Sequence, residues 1–274
     1  MQSLWTGLSA LQASLRWLDR VSENVANSDT PGYAADAGSF ADTFTQVWSS
    51  QATAPSVAGR YTPPGWAGGT GVLAVSAEKR FEGMPLQRTD NPLDLAVQGN
   101  AFFLVAGPDG QTRLTRAGNF IWSRRPDGTV VLATQTGDPV LDTQGRPVQA
   151  PGGQTDGFTV SAQGDVSFGG RATGQRIALA EVSLPDQHLV PIGNNEYIPD
   201  PAANVRVVNA GAAGAAGGAG AGTDTVLQGA LSMSSADLVK QMTDLIQAQR
   251  MFDLNAEALQ VTNRMMQDAN GIKA

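Results

Sequence analysis

From Leu4, steps of four and three residues land on Leu8, Leu11, Leu15, Leu18, Ser22 and Val25. The same stepping from Leu238 lands on Met242, Leu245, Gln249, Phe252, Ala256, Leu259, Asn263 and Met266. A repeat of that spacing is a thin apolar line along a helix, the pattern by which two helices bury each other. A helix laid against a sheet shows a broader apolar face. Both ends of the chain therefore read as coiled-coil helices, each seeking a helical partner, and the function is expected in that pairing. Ser22, Gln249 and Asn263 interrupt the lines with polar groups, which cost stability but restrict register and partner.

The first helix is predicted over 3–26, on the order of 35 Å long at about 1.5 Å per residue. It stops at the turn formers Asn27, Ser28, Asp29, Thr30, Pro31 and Gly32. Residues 34–71 lose periodicity around the isolated aromatics Trp48, Tyr61 and Trp66, and read as an extended arm that orders against a partner. Short strands are predicted over 71–77, 93–97, 102–105, 129–133, 158–160 and 175–182. Pro108-Asp109-Gly110 and Pro126-Asp127-Gly128 read as hairpin turns whose carboxylates serve the turn. Residues 210–222 are alanine and glycine alone, the composition of a flexible linker. Ser234 with Asp237 is expected to cap the last helix, and Asn270-Gly271 to end it. The expected class is α+β: terminal coiled-coil helices pairing beside a central all-β domain. Its parts are 1–33 (helix and turn), 34–71 (arm), 72–208 (β domain), 209–233 (linker and lead-in) and 234–274 (helix).

A net charge of −7 and a pI near 4.7 argue against phosphate-backbone binding, which needs clustered Lys and Arg. No nucleic-acid partner is expected. The chain has no cysteine, which removes disulfides, thiolate metal sites and thiol catalysis. His188 is the single histidine; without a nucleophile or orienting partner it reads as a solvent-facing loop residue. Gly68-Gly69-Thr70-Gly71 lacks the Gly-Lys-Ser/Thr that would make it a phosphate loop. Thr115-Arg116-Ala117-Gly118-Asn119-Phe120 reads as a strand-to-turn corner with a buried Phe in preference to a ligand loop built on Arg116. No catalytic, cofactor or metal residue is predicted, no apolar run is long enough to span a membrane, and no Sec-type signal is expected.

The turn Ala26-Asn27-Ser28-Asp29-Thr30-Pro31-Gly32-Tyr33 resembles the signature of flagellar rod and hook proteins, with Ala26, Asn27, Thr30, Gly32 and Tyr33 as its matching positions. Phe81-Glu82-Gly83-Met84-Pro85-Leu86-Gln87-Arg88-Thr89, Asn91-Pro92-Leu93-Asp94-Leu95-Ala96-Val97-Gln98-Gly99, Phe102-Phe103-Leu104-Val105 and Thr115 to Phe120 are similar to that family's β domain. Later blocks follow in order: Pro139-Val140-Leu141, Phe158-Thr159-Val160-Ser161, Pro191-Ile192-Gly193-Asn194-Asn195-Glu196-Tyr197, Leu227-Gln228-Gly229-Ala230-Leu231 and Ile246-Gln247-Ala248-Gln249-Arg250-Met251-Phe252. Ala101, the alanine-glycine tract and the arm depart from the pattern.

The resemblance implies an axial subunit of the bacterial flagellar basal body, passed through the flagellar type III export apparatus without a cleaved signal. It implies partners among copies of itself and other rod and hook axial proteins, contacted through the helix lines. A surface or periplasmic β-domain binding module, dimerised by its helices, is the alternative from another class. It accounts for the helix lines but not for the ordered blocks.

Overall fold

The computed structural model describes residues 2–38, 40–42, 45–48, 66–69, 72–74, 78–208 and 224–271. The alanine-glycine tract and much of the arm, including 49–65 with Tyr61, lie outside the described residues. The chain divides into two compact units, one of residues 1–25, 36–78 and 238–274, the other of 26–35 and 79–237. Terminal helices with a middle rich in short antiparallel strands make the class α+β.

The larger unit is built on a six-stranded antiparallel sheet in the order Leu189–Gly193, Glu196–Pro199, Thr112–Thr115, Phe102–Ala106, Leu179–Val182, Val205–Val208. Its inner strand, Phe-Phe-Leu-Val-Ala, is an unbroken apolar run because both faces of the sheet are covered. Phe103 and Val105 face one core with Leu95, Phe120, Leu132 and Leu179. Phe102 and Leu104 face another with Phe81, Leu114, Leu141 and Tyr197. Edge-to-face rings hold each side: Phe103 on Phe120 at 5.2 Å, and Phe81 on Phe102 at 5.1 Å. The hairpin Ile121–Arg124/Val130–Ala133 and the three-stranded sheet Phe158–Val160, Asp165–Phe168, Arg171–Arg176 line the first core.

Gly110 and Gly128 take φ of 77° and 82° in the two tight turns. Asp127 accepts from Thr129 N at 3.0 Å and Thr129 Oγ1 at 2.6 Å, and the hydroxyl bond above all holds its carboxyl below the usual range. The run 175–182, expected as one strand, is two. Arg171–Arg176 pairs with Asp165–Phe168, then Ile177 crosses the core fully buried, and Leu179–Val182 joins the large sheet. Residues 225–232, expected as lead-in to the last helix, also pair: Thr225–Gln228 with Leu95–Gln98, and Ala230–Ser232 with Leu86–Arg88.

The smaller unit holds α1 (Gln2–Ala26) as far as Val25, and α3 (Leu238–Gly271). The helix α2 (Pro185–His188) is a single turn of the larger unit and contains the half-buried His188. α3 begins at Leu238, four residues after Ser234, whose Oγ accepts from Ala236 N at 3.1 Å ahead of the helix. In the described part of the arm Thr45–Trp48 pairs with Trp66–Gly69, placing Trp48 opposite Trp66, while Phe40–Asp42 pairs with Val72–Ala74 and Ala35–Ala37 with Glu78–Arg80, both partners lying just beyond the arm.

Candidate functional site: the terminal helices and the signature turn

Contacts at Gly7, Ser14 and Asn24 tie α1 to α3. A Cβ at Gly7 would lie 3.1 Å from Leu259 Cγ. Asn255 Nδ2 donates to Ser14 Oγ at 2.9 Å, and Asn24 Nδ2 donates to Gln241 Oε1 at 3.3 Å. As the residue number rises in α1 it falls in α3, so the helices run antiparallel. Ala13, Ser14, Val21 and Asn24 are buried on α1; Gln241 and Ala248 are buried on α3, with Leu245, Phe252, Asn255 and Leu259 half-buried.

On α1 this contact follows a line one residue before the leucines. Leu8 and Leu15 remain 42% and 41% exposed, and Leu11, Leu18 and Val25 are half-buried, with Leu4 in the first turn. On α3, Leu245, Phe252, Leu259 and Met266 are half-buried, while Leu238, Met242 and Gln249 are exposed. The physical reason is size: Gly7, Ala13 and Ser14 let the helices approach where a row of leucines would hold them apart. Ser22, Gln249 and Asn263, expected to restrict register, are exposed, and Ser22 Oγ donates to its own helix at Leu18 O, 2.7 Å away. Polar groups do cross between the helices at Ser14–Asn255 and Asn24–Gln241, which the leucine-centred reading passed over. Their signal was present as Gly7, Ser14 and Val21, and as Gln241, Ala248, Asn255 and Thr262, each spaced by seven.

Asn24 does more than bridge. It is 1% exposed, accepts from Asp36 N at 2.9 Å and donates to Asp36 O at 3.0 Å. Its amide thus reads the backbone of Asp36 as a neighbouring strand would, tying the start of the arm to the helix.

The signature turn lies in the larger unit and brings distant blocks together. Thr30 N donates to Asn27 O at 3.2 Å and Tyr33 N to Thr30 O at 3.3 Å. Gly32 takes φ 72°, and a Cβ there would lie 2.3 Å from Ala117 N, so conformation and space both require glycine. Gly32 N donates to Ser232 O at 2.7 Å, and Ser235 N to Tyr33 O at 3.1 Å. Asn195 Nδ2 donates to Pro31 O at 3.0 Å, while Thr115 Oγ1 donates to Asn195 O at 2.9 Å. Tyr33 is buried with the Lys79 ammonium 5.3 Å from its ring centre. Ala26, the last residue of α1, is exposed.

Arg116 serves this packing and is not offered to a ligand. It is 3% exposed, donates to Gly99 O at 2.8 Å and lies 5.1 Å over the Phe102 ring. Burial draws its guanidinium down to about 10, opposed by Asp224. Nearby, Arg113 meets three carboxylates: Glu196 at 2.9 Å, Asp109 at 3.3 Å and Asp138 at 3.9 Å. Burial pushes the Glu196 carboxyl up, against the pull of Arg113.

Among the described residues no group of three His, Asp or Glu side chains could hold a metal, and no helix is long and apolar enough to cross a membrane. A groove of about 680 Å³ runs between Gly128–Val130, 149–154 and Phe168–Gln175, lined by glutamines, threonines and glycines with Arg171 and Phe168. It brings together no nucleophile and base.

Residues 4–33 match the family described as "Flagella basal body rod protein", residues 96–168 the "Flagellar hook protein FlgE/F/G D1 domain", and residues 227–272 the "Flagellar basal body rod FlgEFG protein C-terminal". These are the stretches that supply α1 with its turn, the sheet core, and α3. The chain is 30% identical over 278 residues to the flagellar basal-body rod protein FlgG of Caulobacter vibrioides, covering 100% of both chains. It is 29% identical to FlgG of Bacillus subtilis, covering 100% of this chain and 99% of the relative. It is also 28% identical to the flagellar hook-basal body complex protein FlhP of Bacillus subtilis, with 100% of both covered. A match along the whole length, with family models on α1 and its turn, on the sheet core and on α3, makes this chain a member of the flagellar basal-body rod protein family.

Proposed function

We propose that the chain is a structural subunit of the bacterial flagellar basal-body rod that polymerises helically through its terminal helices and transmits torque from motor to hook. The observation that carries this reading is the helix pair itself: α1 and α3 are joined along a line of small and amide residues, leaving Leu8 and Leu15 exposed for a neighbour. In the assembled shaft each pair forms a short coiled coil, and the helix seams serve assembly in two ways: Leu245, Phe252 and Leu259 close the pair within a subunit, while Leu4, Leu8, Leu11, Leu15, Leu18 and Val25 with Leu238, Met242, Gln249 and Met266 are turned to neighbours. The signature turn, Ala26, Asn27, Thr30, Gly32 and Tyr33, follows α1 in the chain and is held within the β unit. Partners are copies of itself and other rod and hook axial proteins, and the chain reaches them through the flagellar export apparatus. The role is mechanical, with no chemistry required of any side chain.

The test is deletion of the gene in its host, with electron microscopy of purified basal bodies and localisation of a tagged, complementing copy. Rods that stop short, with the tag on the rod, are the expected result. Intact rods and normal motility in the absence of a redundant paralogue would defeat the reading.

A further inference from the structure

Residues 2–15 carry no charged side chain, yet Trp5, Leu8 and Leu15 are 69%, 42% and 41% exposed. A solvated helix face is ordinarily charged, so this half of α1 is built to be covered. The leucine line runs one residue beside the face turned to α3, so it is continuous with that contact. α3 carries a counterpart. Met251, Leu254, Ala258, Val261 and Met265 recur at steps of three and four, and the four large side chains are 36%, 64%, 43% and 65% exposed. This line is separate from Leu245, Phe252 and Leu259, which face α1. It spans the same fourteen residue steps as Leu4 to Leu18, about 21 Å in each helix at 1.5 Å per residue.

We infer that the leucine line of α1 in one subunit seats on the Met251–Met265 line of α3 in a second copy of this chain. The inference rests on the rod reading and deepens it by naming the faces that meet. Equal length and matching three-four spacing are the two halves of one seam. The charges beside the α3 line, Arg250, Asp253, Glu257 and Arg264, are of both signs, so an uncharged partner meets no single-sign row. Methionines at both ends of the line adapt to the leucines opposite. Because the two lines are different surfaces, the contact is heterologous: each bound subunit keeps one line free, and the array grows as an open helix in place of a closed dimer.

The chain has no cysteine, so engineered thiols report without background. Leu8→Cys or Leu15→Cys is combined in turn with Met251→Cys, Leu254→Cys, Val261→Cys or Met265→Cys. Each variant is expressed beside the unmodified chain, so that rod formation does not depend on it. Isolated rods are treated with a short bifunctional thiol reagent, and Ser14→Cys with Asn255→Cys serves as the intrachain control. The expected result is cross-linked dimers and higher bands from at least one double variant, with single variants remaining monomeric. Dimers from a single variant, or monomers from every double variant present in rods, overturn the pairing while leaving the rod reading intact. Absence of the unmodified chain from rods removes both.

Discussion

Gly32 is held by two independent constraints, a left-handed backbone and the Ala117 amide where a Cβ would go. Gly32→Ala is expected to destabilise the β unit by roughly 2–4 kcal/mol, since neither neighbour is the end of a flexible side chain. Denaturant unfolding of the free chain measures it, and a loss within error of zero would mean the turn relaxes. Glu196 sets a pH dependence of opposite sign to that of an ordinary salt-bridged carboxylate. Burial raises its folded-state value despite Arg113, so its contribution is fully present below the unfolded carboxylate range and is lost as pH rises through the folded value. Glu196→Gln should therefore flatten the fall in urea midpoint on going from acid to neutral pH. An unchanged slope would assign that dependence to other groups.

Among elements, the helix pair is distinguished by which line it buries. Asn24→Ala removes a bond to Gln241 and two to Asp36, and leaves buried polar groups unsatisfied at a cost of about 2–3 kcal/mol. Amide exchange should accelerate in α1, α3 and the start of the arm while the six-stranded sheet keeps its protection; uniform acceleration would mean that Asn24 stabilises the whole chain. Periodicity in the sequence revealed both helices but centred the pairing of α1 on its leucines. A stepping rule ranks lines by hydrophobicity, whereas close approach ranks them by size, and Gly7 and Ser14 have little hydrophobicity to display. The strands Thr112–Thr115 and Asp165–Phe168 were passed over for a related reason. They are short and half polar, and only their neighbours in the sheets supply what their own side chains do not.

For the whole molecule, the division between buried and exposed apolar lines separates folding from assembly. Leu15→Asp is on an exposed face and should change the stability of the free subunit by no more than about 0.5 kcal/mol. It should still abolish rod growth and swimming. Phe252→Asp, on the side of α3 that faces α1, should cost several kcal/mol through the burial of an unpaired charge and loosen the helix pair before assembly. Thermal unfolding of each purified variant, read beside motility of the complemented strain, tests the distinction. Normal swimming with Leu15→Asp would show that the leucine line is not an interface.

The sequence by itself determined what local chemistry and short-range periodicity can carry: helices at both ends, tight turns at Pro-Asp-Gly, and the strands at 102–105 and 158–160. It also carried the ordered blocks of the family. Only the tertiary structure decided which helix line turns inward, that Asn24 reads the backbone of Asp36, and that residues 225–232 complete the β unit. Nor could spacing show that Gly32, Ala117, Asn195 and Ser232 meet at one junction. The physical reason is that such contacts join residues far apart in the chain and depend on size and hydrogen-bond geometry, which a linear pattern of apolar and polar positions does not encode.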